Sequence, residues 1–356
     1  MKFTLFLSRA LTSVCFTLAL PFIASPVEAA NDWQAASDRV TPSLQSTIAQ
    51  SSSNYGQLID AGYEALQASR PEDALRNFEQ AIQLDSEQVA AWTGKGLSLY
   101  LMSEYDEAIA AFEQALTLDE ESFGAWLGLA NALDDTGELT AALAAYDRAI
   151  VLKPDARSGY YHRGIALFNA NRYSEAVTNF QQAVAIAPDH ATSWLKLGQS
   201  YLGLEAHAQA VEAFEQAISL DATLGPAWHG QGLALFNLEQ YEPALAAFAQ
   251  TTALMPQGQW GWFYYGHSFS LLGRYADALN AYEQAIALRP DWAFAWYRKA
   301  AVLAALNEYE AGLAAVDQAL QLQPDLAVAQ ELQAELKKEL SRLPSAVTAA
   351  ASSQPD

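Results

Sequence analysis

The stretch GRYADALNAYEQAIALRP, residues 273–290, is nearly duplicated upstream by NRYSEAVTNFQQAVAIAP, residues 171–188. The two copies lie 102 positions apart, which is three steps of 34. Internal periods of about 20 to 50 residues mark arrays of one small unit. Stepping by 34 finds Ala74, Ala108, Ala142, Ala176, Ala210, Ala244 and Ala278, with Gly312 at the last step. Four residues on come Phe78, Phe112, Tyr146, Phe180, Phe214, Phe248, Tyr282 and Val316. Three further on come Ala81, Ala115, Ala149, Ala183, Ala217, Thr251, Ala285 and Ala319. Trp92, Trp126, Tyr160, Trp194, Trp228, Trp262 and Trp296 share an earlier column, which Leu58 holds in the first unit. No insertion breaks the register, so eight units run 55–88, 89–122, 123–156, 157–190, 191–224, 225–258, 259–292 and 293–326.

Each unit reads as two helices. In residues 157–190 the first apolar-periodic run is RSGYYHRGIALFNA, a turn follows at Asn171-Arg172, and YSEAVTNFQQAVAIA runs to Pro188. Proline cannot continue a helix, and an aspartate after it can cap the next. The pairs Pro154-Asp155, Pro188-Asp189, Pro290-Asp291 and Pro324-Asp325 predict such boundaries. Gly164, Ala176 and Ala183 stand for columns of small residues that let helices approach closely, with Tyr160, Leu167, Tyr173 and Phe180 filling the space around. One such pair has too little core to stand alone, whereas stacking buries a continuous one. The expected fold class is all-α, a solenoid of helix–turn–helix repeats.

The array resembles the tetratricopeptide repeat family, whose units are 34 residues long with a Trp, Leu-Gly, Tyr, Ala, Phe, Pro pattern. WLKLGQSY, residues 194–201, is close to the family's first-helix pattern, and the resemblance covers residues 55–326. It implies a right-handed superhelical solenoid. Leu58, Thr251, Gly312 and Val316 depart from the pattern, three of them in end units. After the last unit, AVAQELQAELKKELSR places Val328, Leu332, Leu336 and Leu340 on one stripe. Residues 327–342 are therefore expected to form a capping helix, with Lys337, Lys338 and Arg342 suiting its C-terminal dipole.

The ends are of a different kind. Lys2 and Arg9 precede the apolar run ALTSVCFTLALPFIA, and Val27 and Ala29 offer small residues for cleavage before Ala30. Residues 1–29 read as a secretory signal peptide, with an uncleaved N-terminal anchor as the alternative. The apolar run is short for a spanning helix, which needs about 20 residues. No later segment reaches that length without charges, so no stable membrane insertion of the mature chain is expected. Cys15, the only cysteine, lies inside this segment, which leaves the mature chain no thiol chemistry and no cysteine-bound zinc. Residues 30–54 read as a flexible linker and 343–356 as a disordered tail. Export to a periplasm is the expected location, with secretion or a lumenal compartment as alternatives.

The formal net charge is −22. Nucleic acid and anionic lipid need basic patches and are disfavoured as partners. The resemblance implies that first-helix positions 2, 5, 6, 9, 12 and 13 line a concave groove. In the last five units none of those thirty positions is acidic, and eight are aromatic. The candidate partner-binding residues are Tyr161, His162, Phe168, Asn169, Lys196, Gln199, His229, Asn237, Trp260, Phe263, Tyr264, His267, Tyr297 and Arg298, beside Phe236 and Phe294. Aromatics would anchor an extended peptide or helix, and Asn169, Asn237, Lys196 and Arg298 would hold its backbone or carboxylates. The bland alternative is that some of these rings are ordinary inter-helix packing. In the first three units Asp60, Asp134 and Asp135 fall on the same face.

Some family members clamp a C-terminal carboxylate with Lys and Asn at positions 5 and 9, Asn at 6, then Lys and Arg at 2 and 6. No three successive units carry that set, so a chaperone-tail adaptor is not expected. No GxSxG, HExxH or Gly-rich phosphate loop is present, and an enzyme is not expected. Asp134-Asp135 reads as a solvated pair, and His190 and His207 as surface residues. His229 and His267 fall on neighbouring first helices without a third ligand, so neither metal nor cofactor is expected. The function read from the sequence is an exported scaffold or adaptor that binds a protein or peptide, in cell-envelope assembly by analogy of fold alone. A small-ligand or glycan receptor using the rings of Trp260, Phe263, Tyr264 and Tyr297 is the rival. A lumenal assembly factor for a membrane complex is a second one. Partner identity and oligomeric state stay open.

Overall fold

A computed structural model describes residues 49–342, with side chains from Asn54 onward. The signal-peptide reading, most of the linker and the tail lie outside the described residues. Seventeen helices follow one another and no strand occurs among the described residues. They are α1 (Ala49–Gln67), α2 (Pro71–Leu84), α3 (Val89–Leu101), α4 (Tyr105–Leu118), α5 (Phe123–Asp135) and α6 (Leu139–Leu152). Then come α7 (Arg157–Asn169), α8 (Tyr173–Ile186), α9 (Ala191–Gly203), α10 (His207–Leu220), α11 (Gly225–Asn237) and α12 (Tyr241–Leu254). The last are α13 (Gln259–Leu271), α14 (Tyr275–Leu288), α15 (Ala293–Ala305), α16 (Tyr309–Leu322) and α17 (Ala327–Arg342). Helix α1 starts at Ala49, six residues before the first unit, so the end of the expected linker is helical.

The chain divides into two compact bodies, residues 49–200 and 201–342 among those described. In the first, the ring of Phe78 is fully buried and sits between Gly62 of its own unit and Gly94 of the next. A Cβ at either glycine would come within 2.6 and 2.3 Å of the ring. Phe112 is held in the same way by Gly96 and Gly128. In the second body Gly230 closes on Phe214, and Gly232 on Phe248. The small columns are therefore slots for rings. Ala74, Ala108, Ala142, Ala176, Ala210, Ala244 and Ala278 have no exposed surface.

Thr251, the departure in the third column, is also buried. Its hydroxyl donates to Ala247 O at 3.0 Å, and the extra bulk fits because Gly261 faces it. A Cβ at Gly261 would lie 2.9 Å from Thr251 Cγ2. At the far end Val316 shares its core with Leu332 and Leu336 of α17, both fully buried. Two side chains from the cap thus accompany the residue that replaces an aromatic ring.

The tryptophan column closes the loops between units. Trp92, Trp126, Trp194, Trp228, Trp262 and Trp296 each donate Nε1–H to the carbonyl six residues earlier, at 2.8 to 2.9 Å. Gln330 stands one period after Trp296 and donates to Pro324 O at 2.7 Å, so α17 opens in the same way as a repeat unit. A second recurring bond joins position 7 of one unit to position 25 of the unit before. Lys95 pairs with Glu79, Arg163 with Asp147 and Lys299 with Glu283, and Gln333 bonds Asp317.

The turn inside every unit passes through one left-handed residue at position 15. Ser69, Ser103, Asn171, Glu205, Glu239 and Asn307 take positive φ there, as do Gly137 and Gly273. The expected aspartate caps are displaced. Asp155 and Asp291 stand one residue too early, because Ala156 and Trp292 occupy the N-cap positions. At α9 the cap is His190, whose Nδ1 accepts from the Ser193 N–H at 3.1 Å. His190 and His207 are accordingly half-buried rather than open surface residues.

Candidate partner-binding face

Positions 2, 5, 6, 9, 12 and 13 of a first helix share one face because they repeat at three- and four-residue intervals. What each presents depends on the next helix packed over it. In the first body Tyr161 is buried, edge-on to Phe180 at 6.0 Å and to His190 at 5.5 Å, with Arg157 over its face. Lys196 is also buried, its ammonium 5.8 Å from the Phe168 ring. His162, Phe168 and Gln199 are half-buried and Asn169 is exposed. The amide oxygen of Gln199 has no hydrogen-bond partner.

In the second body the aromatic positions form a layered cluster. Tyr264 stacks on the buried Phe248 ring at 5.7 Å with an interplanar angle of 17°. Trp260 lies beside Tyr264 at 6.3 Å and 27°, and touches Trp292 edge-on at 4.4 Å. Phe263 is buried among Trp292, Tyr282 and Phe294. His267 is buried against Phe236 at 4.8 Å. His229 is buried against Phe248 and Tyr264, and its Nδ1 has no hydrogen-bond partner. Burial pushes its ring down to about 4, so it is neutral at physiological pH. Arg298 has no exposed surface, and its guanidinium lies 5.0 Å from Phe294 and 5.7 Å from Tyr297.

The expected face therefore divides into two layers. Tyr161, Lys196, His229, Phe263, His267, Tyr297 and Arg298 belong to the packed lower layer. Lys196 and Arg298, expected to hold a carboxylate, are both buried in this layer. In the second body Trp260, Tyr264, Phe294 and Asn237 are half-buried. Position 6 shows the cause. Gly94, Gly128 and Gly230 hold this place in three units and lie against a buried ring. His162, Lys196, Tyr264 and Arg298 replace the glycine in four others, and Tyr264 covers its ring instead.

One cluster was not expected as a unit. In the first body Tyr146 donates its hydroxyl to Asn131 Oδ1 at 2.6 Å. Tyr100 is hydrogen-bonded to Asp135. Asp134 is half-buried rather than solvated, and burial followed by the charge of Asp135 pushes its carboxyl up to about 6. Its sequence signals were the adjacency of the two aspartates and their place on the candidate face. No helix among the described residues is long and apolar enough to cross a membrane.

Known proteins with this repeat bear on the chain. Models of the tetratricopeptide repeat match residues 59–116, 102–157, 161–225, 260–292 and 295–326. No curated protein sequence matches it. Among solved structures it is similar to Pseudomonas aeruginosa PilF, with 21% identity and a TM-score of 0.51 over 58% of this chain and 93% of that one. It is similar to the APC/C hetero-tetramer Cut9–Hcn1, with 16% identity and a TM-score of 0.50 over 78% of this chain and 55% of that one. These two show the fold. YrrB, described as a TPR protein with an unusual peptide-binding site, is 27% identical with a TM-score of 0.49, over 54% of this chain and 98% of that one.

Proposed function

The chain belongs to the tetratricopeptide repeat family, and from that premise we propose that it is an exported scaffold holding a peptide or protein segment on its first-helix face. The observation that carries this is the half-buried aromatic layer of Trp260, Tyr264 and Phe294 resting on fully packed rings. Rings already fixed by neighbours lose little freedom on binding and bring large apolar area, which is the usual make-up of an interface anchor. The acid-free, aromatic character of these positions suits a partner segment that is apolar. Export is supported by Lys2, Arg9 and the apolar run that follows, and a place in cell-envelope assembly follows from export and fold by analogy.

The test is affinity capture from an envelope extract by the mature chain and by Trp260→Ala/Tyr264→Ala. Interface anchors of this kind contribute about 2 kcal/mol or more each, so capture should fall beyond detection. Leu254→Ser, at an exposed leucine outside this face, should capture as wild type does. Unaltered capture by the double variant refutes the assignment. A glycan-array signal that the double variant loses, with no protein retained by wild type, favours the near-parallel Trp260 and Tyr264 rings as a sugar platform instead.

A further inference from the structure

One joint of the first body is built unlike its neighbours. Where α2 meets α3, Phe78 sits between Gly62 and Gly94, and where α4 meets α5, Phe112 sits between Gly96 and Gly128. Where α6 meets α7 the ring is Tyr146, and neither of the matching places is a glycine. Ala130 stands at position 8 of its own unit and His162 at position 6 of the next. The Tyr146 hydroxyl donates to Asn131 Oδ1 at 2.6 Å, which ties the ring to its own hairpin. On the other side Tyr161 lies edge-on to Phe180 and His190, and Phe168 edge-on to Tyr173 at 5.4 Å, all within residues 157–190. These rings on both sides of the joint pack within their own hairpins.

The buried core shows the same difference. One continuous apolar cluster runs from Ala65 to Ala149, taking Leu97 and Leu99 from α3 and Phe123, Leu127, Leu129, Ala130 and Ala132 from α5. From α7 it takes Ala166 alone, and the fully buried Phe180 stands outside it. Position 6 is also filled where α12 meets α13, but there Tyr264 crosses the joint and stacks on Phe248. Across α6–α7 Arg163 Nε meets Asp147 Oδ1 at 2.8 Å, and the Asp147 side chain is 60% exposed. An ion pair so open to water holds weakly and yields to salt. The stability of a stacked array is close to a sum over its joints, and the places with the least shared apolar core open first.

We propose that the α6–α7 joint is a hinge, at which residues 55–156 and 157–190 change their mutual angle while the hairpins on either side stay intact. Small sliding of α7 over α6 is enough, because no ring has to leave a glycine slot. The inference holds whatever the chain binds. With a segment on the first-helix face, the hinge lets the first body adjust its curvature to it.

The experiment measures distances between paired spin labels in the full chain with Cys15→Ser. Glu72, Thr140, Asp106 and Ser174 hold the same exposed position in successive units. The pair Glu72→Cys/Thr140→Cys spans the two slotted joints, and Asp106→Cys/Ser174→Cys spans one slotted joint and the hinge. The second pair should give a distance distribution at least twofold wider than the first. It should widen again in 1 M salt and with Arg163→Gln, whereas the first pair should not change in salt or with Lys95→Gln, which removes the corresponding ion pair at a slotted joint. Tyr146→Phe/His162→Gly, which rebuilds a slot, should narrow the second pair to the width of the first. Equal widths in wild type overturn the hinge, as does a second pair that neither salt nor Arg163→Gln widens. Circular dichroism on each variant separates a bend from unfolding, and widening that comes with lost helix also counts against the hinge.

Discussion

Replacing Gly128 by alanine tests the ring-and-slot packing where two effects have opposite signs. Gly128 lies in the middle of α5, where alanine is favoured over glycine by about 1 kcal/mol on helix propensity alone. The structure opposes that gain. A Cβ at 128 would stand 2.4 Å from two atoms of the Phe112 ring, against an ordinary carbon–carbon contact of about 3.5 to 4.0 Å. The ring cannot retreat, because Gly96 holds its other side, where an added Cβ would be 2.6 Å away. Overpacking of this kind costs about 1–3 kcal/mol, and two clashing ring atoms favour the upper half. The net expectation is a loss of about 1–2 kcal/mol after the propensity gain. Gly124, on the same helix, meets nothing closer than Thr93 Cγ2 at 3.7 Å, so Gly124→Ala should gain up to about 1 kcal/mol. Urea unfolding followed by circular dichroism reads both signs, and hydrogen exchange shows whether the loss concentrates in residues 105–152. In Phe112→Leu/Gly128→Ala the smaller side chain should absorb the new methyl, so the combined loss should undershoot the sum by about 1 kcal/mol or more. A stabilised Gly128→Ala, or strictly additive losses, would refute the slot.

The turn at position 15 gives a second expectation: Glu239→Gly should raise stability by about 0.5–1 kcal/mol by relieving a left-handed glutamate at φ 58°, read by urea unfolding. Gly137→Ala, at φ 84°, should lower it by about 1 kcal/mol in the same assay. Asp134 gives a pH signature. Its folded carboxyl titrates near 6, above its ordinary range, so the folded chain holds that proton more tightly than the unfolded chain. Wild type should therefore gain about 1–2 kcal/mol on Asp134→Asn between pH 7.5 and pH 4, with partial exposure reducing the full effect, and no further gain below about pH 3.5. Arg298→Ala should cost about 2–4 kcal/mol in thermal or urea unfolding, since it empties a fully buried site among Phe294 and Tyr297.

The repeat period, the helix pairs and the capping helix were legible because they depend on columns of residue size. Ala74 to Ala278, Phe78 to Tyr282 and the run from Val328 to Leu340 carry that signal at constant spacing. The turn geometry was not legible, since Ser69, Glu205 and Asn307 do not advertise a left-handed backbone as Gly137 does. Asp155 failed as a cap by one residue, a difference smaller than a Pro-Asp pair can specify. The candidate face was half legible. The family resemblance supplied its positions, but the burial of Arg298 and Lys196 depends on rings contributed by other residues, Phe294, Tyr297 and Phe168. The Asn131 cluster escaped because its members come from three helices, and only Asp134 and Asp135 are adjacent in sequence.

The shared rings have a mechanical consequence. Parting the first unit from the second means dragging Phe78 out from between Gly62 and Gly94, a short-range grip that yields all at once instead of stretching. Under tension such an array should therefore give way in discrete jumps of about one hairpin. Joints where a large side chain such as Tyr264 replaces the glycine should break at a different load from the glycine joints.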